Sequence, residues 1–541
     1  MRRPSPRLPV VVLVGGAIGG AVAFGGIDGE PAAEGGGVRA ASTVGMPAVA
    51  AADAPTSTWY CAAGTGEQGG IADHTVAIFN PGDTRVAATV TVYGGAIAPA
   101  PSPAAAAEPV AREISVPAGD RVELRLGEVV AAPLVAALVE AGGAVAIEHR
   151  VAGPHGRDAA PCASAASPVW HFASGATTRD ARDVVVLFNP FPTEATVDVV
   201  FDTEDGAREP VRFQGFPVPA RSVVGVDIGD DVTRKEHVSM TLRVRTGRVV
   251  AERLQQFDGS LGQEGLSLAL GAPAAATTWA FADGVVGEGT TERIAVYNPG
   301  EALAEVEVRV LPSTREPAPA PQPFRLSVKP GEFAVVDYTD QDRIPRDTRH
   351  ATVVHATNGV PVVVERIVAQ TVEGEDGEEA SDVVSGPGAV VAARTWTFPL
   401  ASAGEAGTAP ETETEIAQDA SPARFVVFNP DRERSVHVTL HAVVDGRDSE
   451  VDDARDVEVP PGGRVMLVAE PPADAPGTAF VVEADAAVTA ERMILTTDRL
   501  RLAMSVGIPN VDDSVSLARL AAAGDLAGHA ASGPERYEPP H

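Results

Sequence analysis

The segment Val184-Val185-Val186-Leu187-Phe188-Asn189-Pro190 carries an apolar run into a turn, and Val197-Asp198-Val199 beyond it restores strict alternation. Period-two alternation in β-branched residues marks a half-buried strand. Proline lacks the amide that a ladder needs, and asparagine bonds readily to nearby backbone, so Asn-Pro between two strands marks a turn. The same triplet recurs as Phe79-Asn80-Pro81, Tyr297-Asn298-Pro299 and Phe428-Asn429-Pro430. Alternating strands follow each one: Val90-Thr91-Val92, Val306-Glu307-Val308 and Val436-His437-Val438.

Working outward, the chain's four tryptophans, Trp59, Trp170, Trp279 and Trp396, each precede one triplet. Two residues after each comes Cys61, Phe172, Phe281 or Phe398. Beyond each triplet lies a second turn: Val116-Pro117-Ala118-Gly119, Val218-Pro219-Ala220, Val328-Lys329-Pro330-Gly331 or Val459-Pro460-Pro461-Gly462. Near the end of each unit stands an acid–base pair: Glu148-His149, Glu252-Arg253, Glu365-Arg366 and Glu491-Arg492. Amphipathic helix patterns are nearly absent. Short strands with Gly/Pro turns, in units of about 110 residues, predict an all-β chain of four tandem immunoglobulin-like β-sandwich repeats, each able to bury its own core. Propeller blades, at roughly 40–50 residues, fit the spacing less well. The expected boundaries are 57–167, 168–275, 276–392 and 393–511, with 512–541 as a C-terminal tail.

The 541 residues carry a formal charge of −32. That excess of acid repels nucleic acid and anionic lipid. Arg2, Arg3 and Arg7 precede an uncharged stretch from Leu8 to Gly26. At ~1.5 Å per residue a helix there spans roughly 28 Å, near a bilayer core. Residues 1–27 therefore read as an apolar helix, retained as a membrane anchor or cleaved as a signal peptide after Ala21-Val22-Ala23. The basic flank keeps the rest outside the cell membrane, as a single-pass or secreted protein. The Ala/Gly-rich residues 28–56 read as a flexible, disordered stalk. Cys61 and Cys162, the two cysteines, fall at the two ends of repeat one and are expected to form a disulfide.

Chemistry-bearing patterns are sparse. No Cys-x-x-Cys, His-x-x-x-His, Gly-x-Ser-x-Gly or phosphate loop is present. The acidic clusters Asp202-Glu204-Asp205 and Glu373 through Asp382 lack EF-hand spacing and read as solvated hairpin tips. A motif present four times is architecture more often than catalysis. Trp170, Trp279 and Trp396 are expected as buried plugs near the Asn-Pro turns. Glu148, Glu252, Glu365 and Glu491 are expected to anchor a loop of their own unit through backbone amides. The adjacent arginine is expected to face solvent or a surface acid, since neighbouring strand residues point to opposite faces.

With these motifs laid out, the chain resembles an uncharacterised family of exported actinobacterial proteins, catalogued as a domain of unknown function, and more widely the immunoglobulin-like repeats of bacterial surfaces. The resemblance rests on Trp59-Tyr60-Cys61, the Asn-Pro and Val-Pro-Ala-Gly turns and the Glu-Arg strand, from Trp59 to Asn510. It implies no activity and no cofactor. The expected role is a non-enzymatic cell-envelope scaffold, spacer or adhesion module; the alternative is a binding module for wall glycan, an exported partner or an envelope enzyme.

Overall fold

The computed structural model describes residues 45–67, 69–97, 108–313, 321–373, 379–400, 422–470, 477–496 and 501–526. The helix expected at Leu8–Gly26 lies outside them, and no helix among the described residues is long and apolar enough to cross a membrane.

Repeat one comprises β1 (Ser57–Cys61), β2 (Asp73–Asn80), β3 (Val86–Ile97), β4 (Val110–Val116), β5 (Asp120–Arg125), β6 (Leu134–Ala141), β7 (Ala146–Gly153) and β8 (Gly156–Pro161). Alternation decides which face each side chain takes: along β3, Val86, Ala88, Val90 and Val92 are buried while Ala87, Thr89 and Thr91 between them are not. Two antiparallel sheets result, ordered β1-β6-β3-β4 and β5-β2-β7-β8. Repeats two and three reproduce both orders. In repeat four a single long strand, Ala479–Thr496, serves both sheets. Two packed sheets of immunoglobulin size are thus present, on a common set of four strands each rather than a four-plus-three constant-type arrangement, with the short strand Gly206–Arg208 added in repeat two.

The asparagines tie the two turns of each unit together. Asn80 Nδ2 donates to the carbonyls of Thr84 and Val116, and its Oδ1 accepts from the Gly82 amide. Asn189, Asn298 and Asn429 repeat the pattern on Val218, Val328 and Val459. The tryptophans are core plugs, each at most 2% exposed. Trp170, Trp279 and Trp396 donate from Nε1 to the carbonyls of Val249, Val362 and Val488. Each carbonyl lies one residue from the strand partner of its triplet's aromatic ring, hence at the Asn-Pro end. Cys61 and Cys162 are bonded, with Cα atoms 4.7 Å apart.

The four units do not stand apart. Residues 41–541 group as one compact unit, and the apolar cores run across the seams. Tyr93 of repeat one stacks edge-on against Phe188 of repeat two at 5.1 Å, and one core joins repeats three and four. Around the centre, the last strands of all four repeats lie side by side in a closed cycle: β8, Glu264–Leu270, Glu379–Pro387, Arg501–Val506 and back to β8. These are edge strands, which need partners for their amides. Side chains supply them. Asp158 accepts from the amides of Leu268 (2.8 Å) and Met504 (3.3 Å). Asp382 accepts from Leu502 (2.7 Å), and Ser267 from Ser385 (2.9 Å).

The end of the expected stalk is ordered. Val49 bonds through its amide to Pro509 and through its carbonyl to Val511, so the segment before repeat one meets the end of repeat four. Beyond Asn510, Val515–Ser516 pairs with Val391–Phe398 and a short helix, α1 (Leu517–Ala523), buries Leu517. Main-chain partners at both ends explain this order; composition alone suggested none.

Candidate functional site

Because Glu and Arg are sequence neighbours on a strand, they leave it on opposite sides. The four glutamates occupy alike, fully buried environments. The amides they bind, however, belong to the preceding repeat, which corrects the expectation of anchoring within one unit. Glu252 Oε2 accepts from Ala62 (3.1 Å) and Ala63 (2.7 Å) of repeat one. Glu365 accepts from Ala173 and Ser174 of repeat two, both at 3.1 Å, and from the Ser174 hydroxyl. Glu491 accepts from Ala282 of repeat three (2.8 Å), and Glu148 from Leu400 of repeat four (3.0 Å). The donors all follow the first strand of their unit, just past Cys61, Phe172, Phe281 or Phe398.

The arginines are also buried, which corrects the expectation of solvent exposure. Each meets the glutamate of the next repeat. Arg253 reaches Glu365 at 3.1 Å, Arg366 reaches Glu491 at 2.8 Å, and Arg492 reaches Glu148 at 2.9 Å. His149 stands 3.4 Å from Glu252. Four seams therefore form one cycle, and the pair from repeat four to repeat one closes it.

Burial makes these charges costly unless paired. Burial drives the Glu491 carboxyl above its usual range, against the pull of Arg366. Burial opposes the Arg366 charge as well, yet Glu491, Glu292 and Asp283 together hold its pKa above normal. Asp183, six residues before Asn189, is fully enclosed and neither carboxylate oxygen has a hydrogen-bond partner. Burial pushes it to about 7, with Arg253 opposing.

Repeat one departs at three linked positions. Elsewhere each cation lies over its own unit's phenylalanine: Arg253 over Phe172 (5.5 Å), Arg366 over Phe281 (5.2 Å), Arg492 over Phe398 (5.9 Å). In repeat one the ring is replaced by disulfide-bonded Cys61 and the arginine by His149. The position of Asp183 and Glu292 is taken by His74, whose Nε2 lies 2.9 Å from His149 Nδ1. Burial, then His149, holds the His74 pKa well below normal.

A concavity opens beside the central strands, at Leu270. About 690 Å³ is enclosed by inter-repeat linkers and chain ends, including Ser167, Trp170, Arg248, Ala275, Met46 and Ser516. Met46 and Pro47 also close a void of about 70 Å³ between the four central strands, beside Ala160, Leu268, Gly386 and Met504. No group of three or more His, Cys, Asp or Glu side chains suited to a metal ion occurs among the described residues. Asp202 is engaged by the Tyr297 hydroxyl of repeat three at 2.7 Å, and Lys235 pairs with Glu204 and Asp205, so this acidic cluster serves a seam. In the other cluster, residues 374–378 lie outside the described residues, while Asp382 is engaged at the axis.

The structure brings the four glutamates to equivalent seams and keeps the tryptophans and asparagines inside single sandwiches. Reading the sequence missed the amide donors, His74, Asp158 and Asp382. The signal for His74 is a histidine where repeats two and three carry an acid and repeat four carries Ala423, in the same unit whose Cys61 and His149 depart from the pattern.

A family model described as a family of unknown function, DUF5719, matches residues 136–470. No curated protein matches. Among solved structures, the Anabaena sensory rhodopsin transducer is similar over 17% of this chain and 83% of its own, at 31% identity and a TM-score of 0.15. The major pilin from Streptococcus pyogenes is similar over 42% of this chain and all of its own, at 9% identity and a TM-score of 0.12. Neither score supports an argument about fold or role.

Proposed function

The chain belongs to DUF5719, a family of unknown function, and we propose that it is an exported, non-enzymatic cell-envelope protein whose four immunoglobulin-sized sandwiches form one rigid scaffold. The observation that carries this reading is the seam cycle. The recurring acid and base, the residues best suited to chemistry, are buried and bonded to each other across repeats. A role as spacer is disfavoured, because a spacer separates its ends and here Val49 sits beside Asn510. The disulfide accords with an oxidising compartment. The Leu8–Gly26 segment would tether the scaffold outside the membrane, or be removed on export.

A binding role for wall glycan or an exported partner draws support from the concavity beside the central strands alone. Sugar platforms need exposed aromatic faces, and all four tryptophans are buried. The test is protease treatment of intact cells of the native host, followed by cross-linking and non-reducing mass spectrometry. Surface-accessible chain, a Cys61–Cys162 bond and a reproducible envelope-protein neighbour support the scaffold. Protected, reduced chain in the cytoplasm overturns it.

A further inference from the structure

The seam between repeats one and two differs from the other three in the number of protons it must hold. His74 Nδ1 lies 2.9 Å from the Val135 carbonyl. A carbonyl only accepts, so Nδ1 carries the proton. His74 is neutral in its buried site, so its Nε2 bears a lone pair. That lone pair accepts from His149 Nδ1–H at 2.9 Å. His149 Nε2 then stands 3.4 Å from Glu252 Oε1, and neither atom has a hydrogen-bond partner. Two lone pairs facing each other in a dry seam repel. Attraction requires one proton between them, on His149 as imidazolium or on Glu252 as acid.

We propose that the seam between repeats one and two is a proton-held latch, in which one proton shared by His149 and Glu252 holds the Ala62-Ala63 segment of the first repeat against Glu252, while the seams of Arg366 and Arg492 carry no such proton. The groups facing His149 are His74 from β2, Glu252 from the strand Val250–Asp258, the Val135 carbonyl from β6 and the Ala62-Ala63 amides beyond β1, which hold the other oxygen of Glu252. Arg121, Glu123 and Arg150 form a separate ion-pair group. Arg253, next to Glu252 in sequence, is engaged at the following seam. Raising the pH withdraws the shared proton and leaves His149 Nε2 and Glu252 Oε1 in repulsion. No equivalent loss occurs at Arg366 or Arg492, since guanidinium stays protonated.

The test is hydrogen–deuterium exchange of the intact chain from about pH 6 to about pH 9, corrected for intrinsic rates. Protection of residues 57–67 should fall at least about tenfold across that range, while the matching segments 278–286 and 396–400 hold theirs. Glu252→Gln separates the latch from simple packing. Both Ala62 and Ala63 bind Oε2, so the carboxamide oxygen can keep them while its NH₂ replaces Oε1 and donates to neutral His149. The variant should lose the pH response and keep the docking. An equal response in all four seams, no response in the wild type, or an unchanged response in Glu252→Gln overturns the proposal. Should the variant fail to fold, histidine-selective ¹⁵N NMR of the wild type decides: a bare His149 Nε2 beside an ionised Glu252 at neutral pH overturns it, and a shared proton supports it.

Discussion

Glu365→Gln tests the seam reading most directly, because every consequence is fixed by geometry. Glu365 is 1% exposed and accepts four hydrogen bonds from repeat two. Oε2 takes three of them, from the Ser174 amide, the Ser174 hydroxyl and Arg253. The glutamine oxygen will therefore settle there, and its NH₂ must face the Ala173 amide at the Oε1 position. Two donors then confront each other in a buried site, and an unsatisfied buried donor costs ~1–3 kcal/mol. Arg253 also loses its ionic partner, and removing one member of a buried pair costs ~3–5 kcal/mol. Arg253 keeps Ser174 O, Ser385 Oγ and the nearby Asp183, so the whole loss should come to ~3–5 kcal/mol rather than the sum of both figures. The assay is urea unfolding with exchange mass spectrometry. Residues 169–178 of repeat two should exchange faster although the substitution lies in repeat three. A loss below ~1 kcal/mol, or faster exchange confined to repeat three, would refute the seam reading.

Asp183→Asn should stabilise the protein at pH 8 and do little at pH 4. The folded-state pKa of about 7 is raised above the unfolded value, so stability is full in acid and is lost as pH rises through 7; thermal melts at both pH values check this. His171 and His237 should cause loss in acid. Burial lowers them to about 4 and about 3, so their contribution is complete above the unfolded value of about 6.5 and is lost as pH falls. Each such shift corresponds to roughly 3–5 kcal/mol at full protonation, and His171→Gln should shrink the acid slope in a pH series of urea midpoints. Trp279→Ala should cost ~3–5 kcal/mol, since the ring is fully enclosed and its Nε1 bonds the Val362 carbonyl; a loss under ~1 kcal/mol in chemical unfolding would contradict the core-plug role.

Strand positions, the two turns, the four-fold register, the disulfide and the buried tryptophans were legible in the chain itself. Each depends on neighbours in sequence: alternation sets which face is buried, Asn-Pro stops a ladder, and a repeat aligns Cys61 with Cys162 at the two ends of one unit. Glu365 and Arg366 were legible as side chains on opposite faces, because that too is local strand geometry. What each face meets was not. Glu365 binds residues 191 and 192 positions earlier, and Arg492 binds Glu148 across 344 positions. No pattern within a unit distinguishes an acid that anchors its own loop from one that anchors its neighbour's. That choice was made by the apolar surface each sandwich leaves exposed, which drives the repeats into a cycle and buries charges that a solitary sandwich would show to water. The same closure placed Asp158 and Asp382 on the amides of foreign edge strands, ordered residues 45–56 against Asn510, and turned the replacement of arginine by His149 into a single proton-dependent seam.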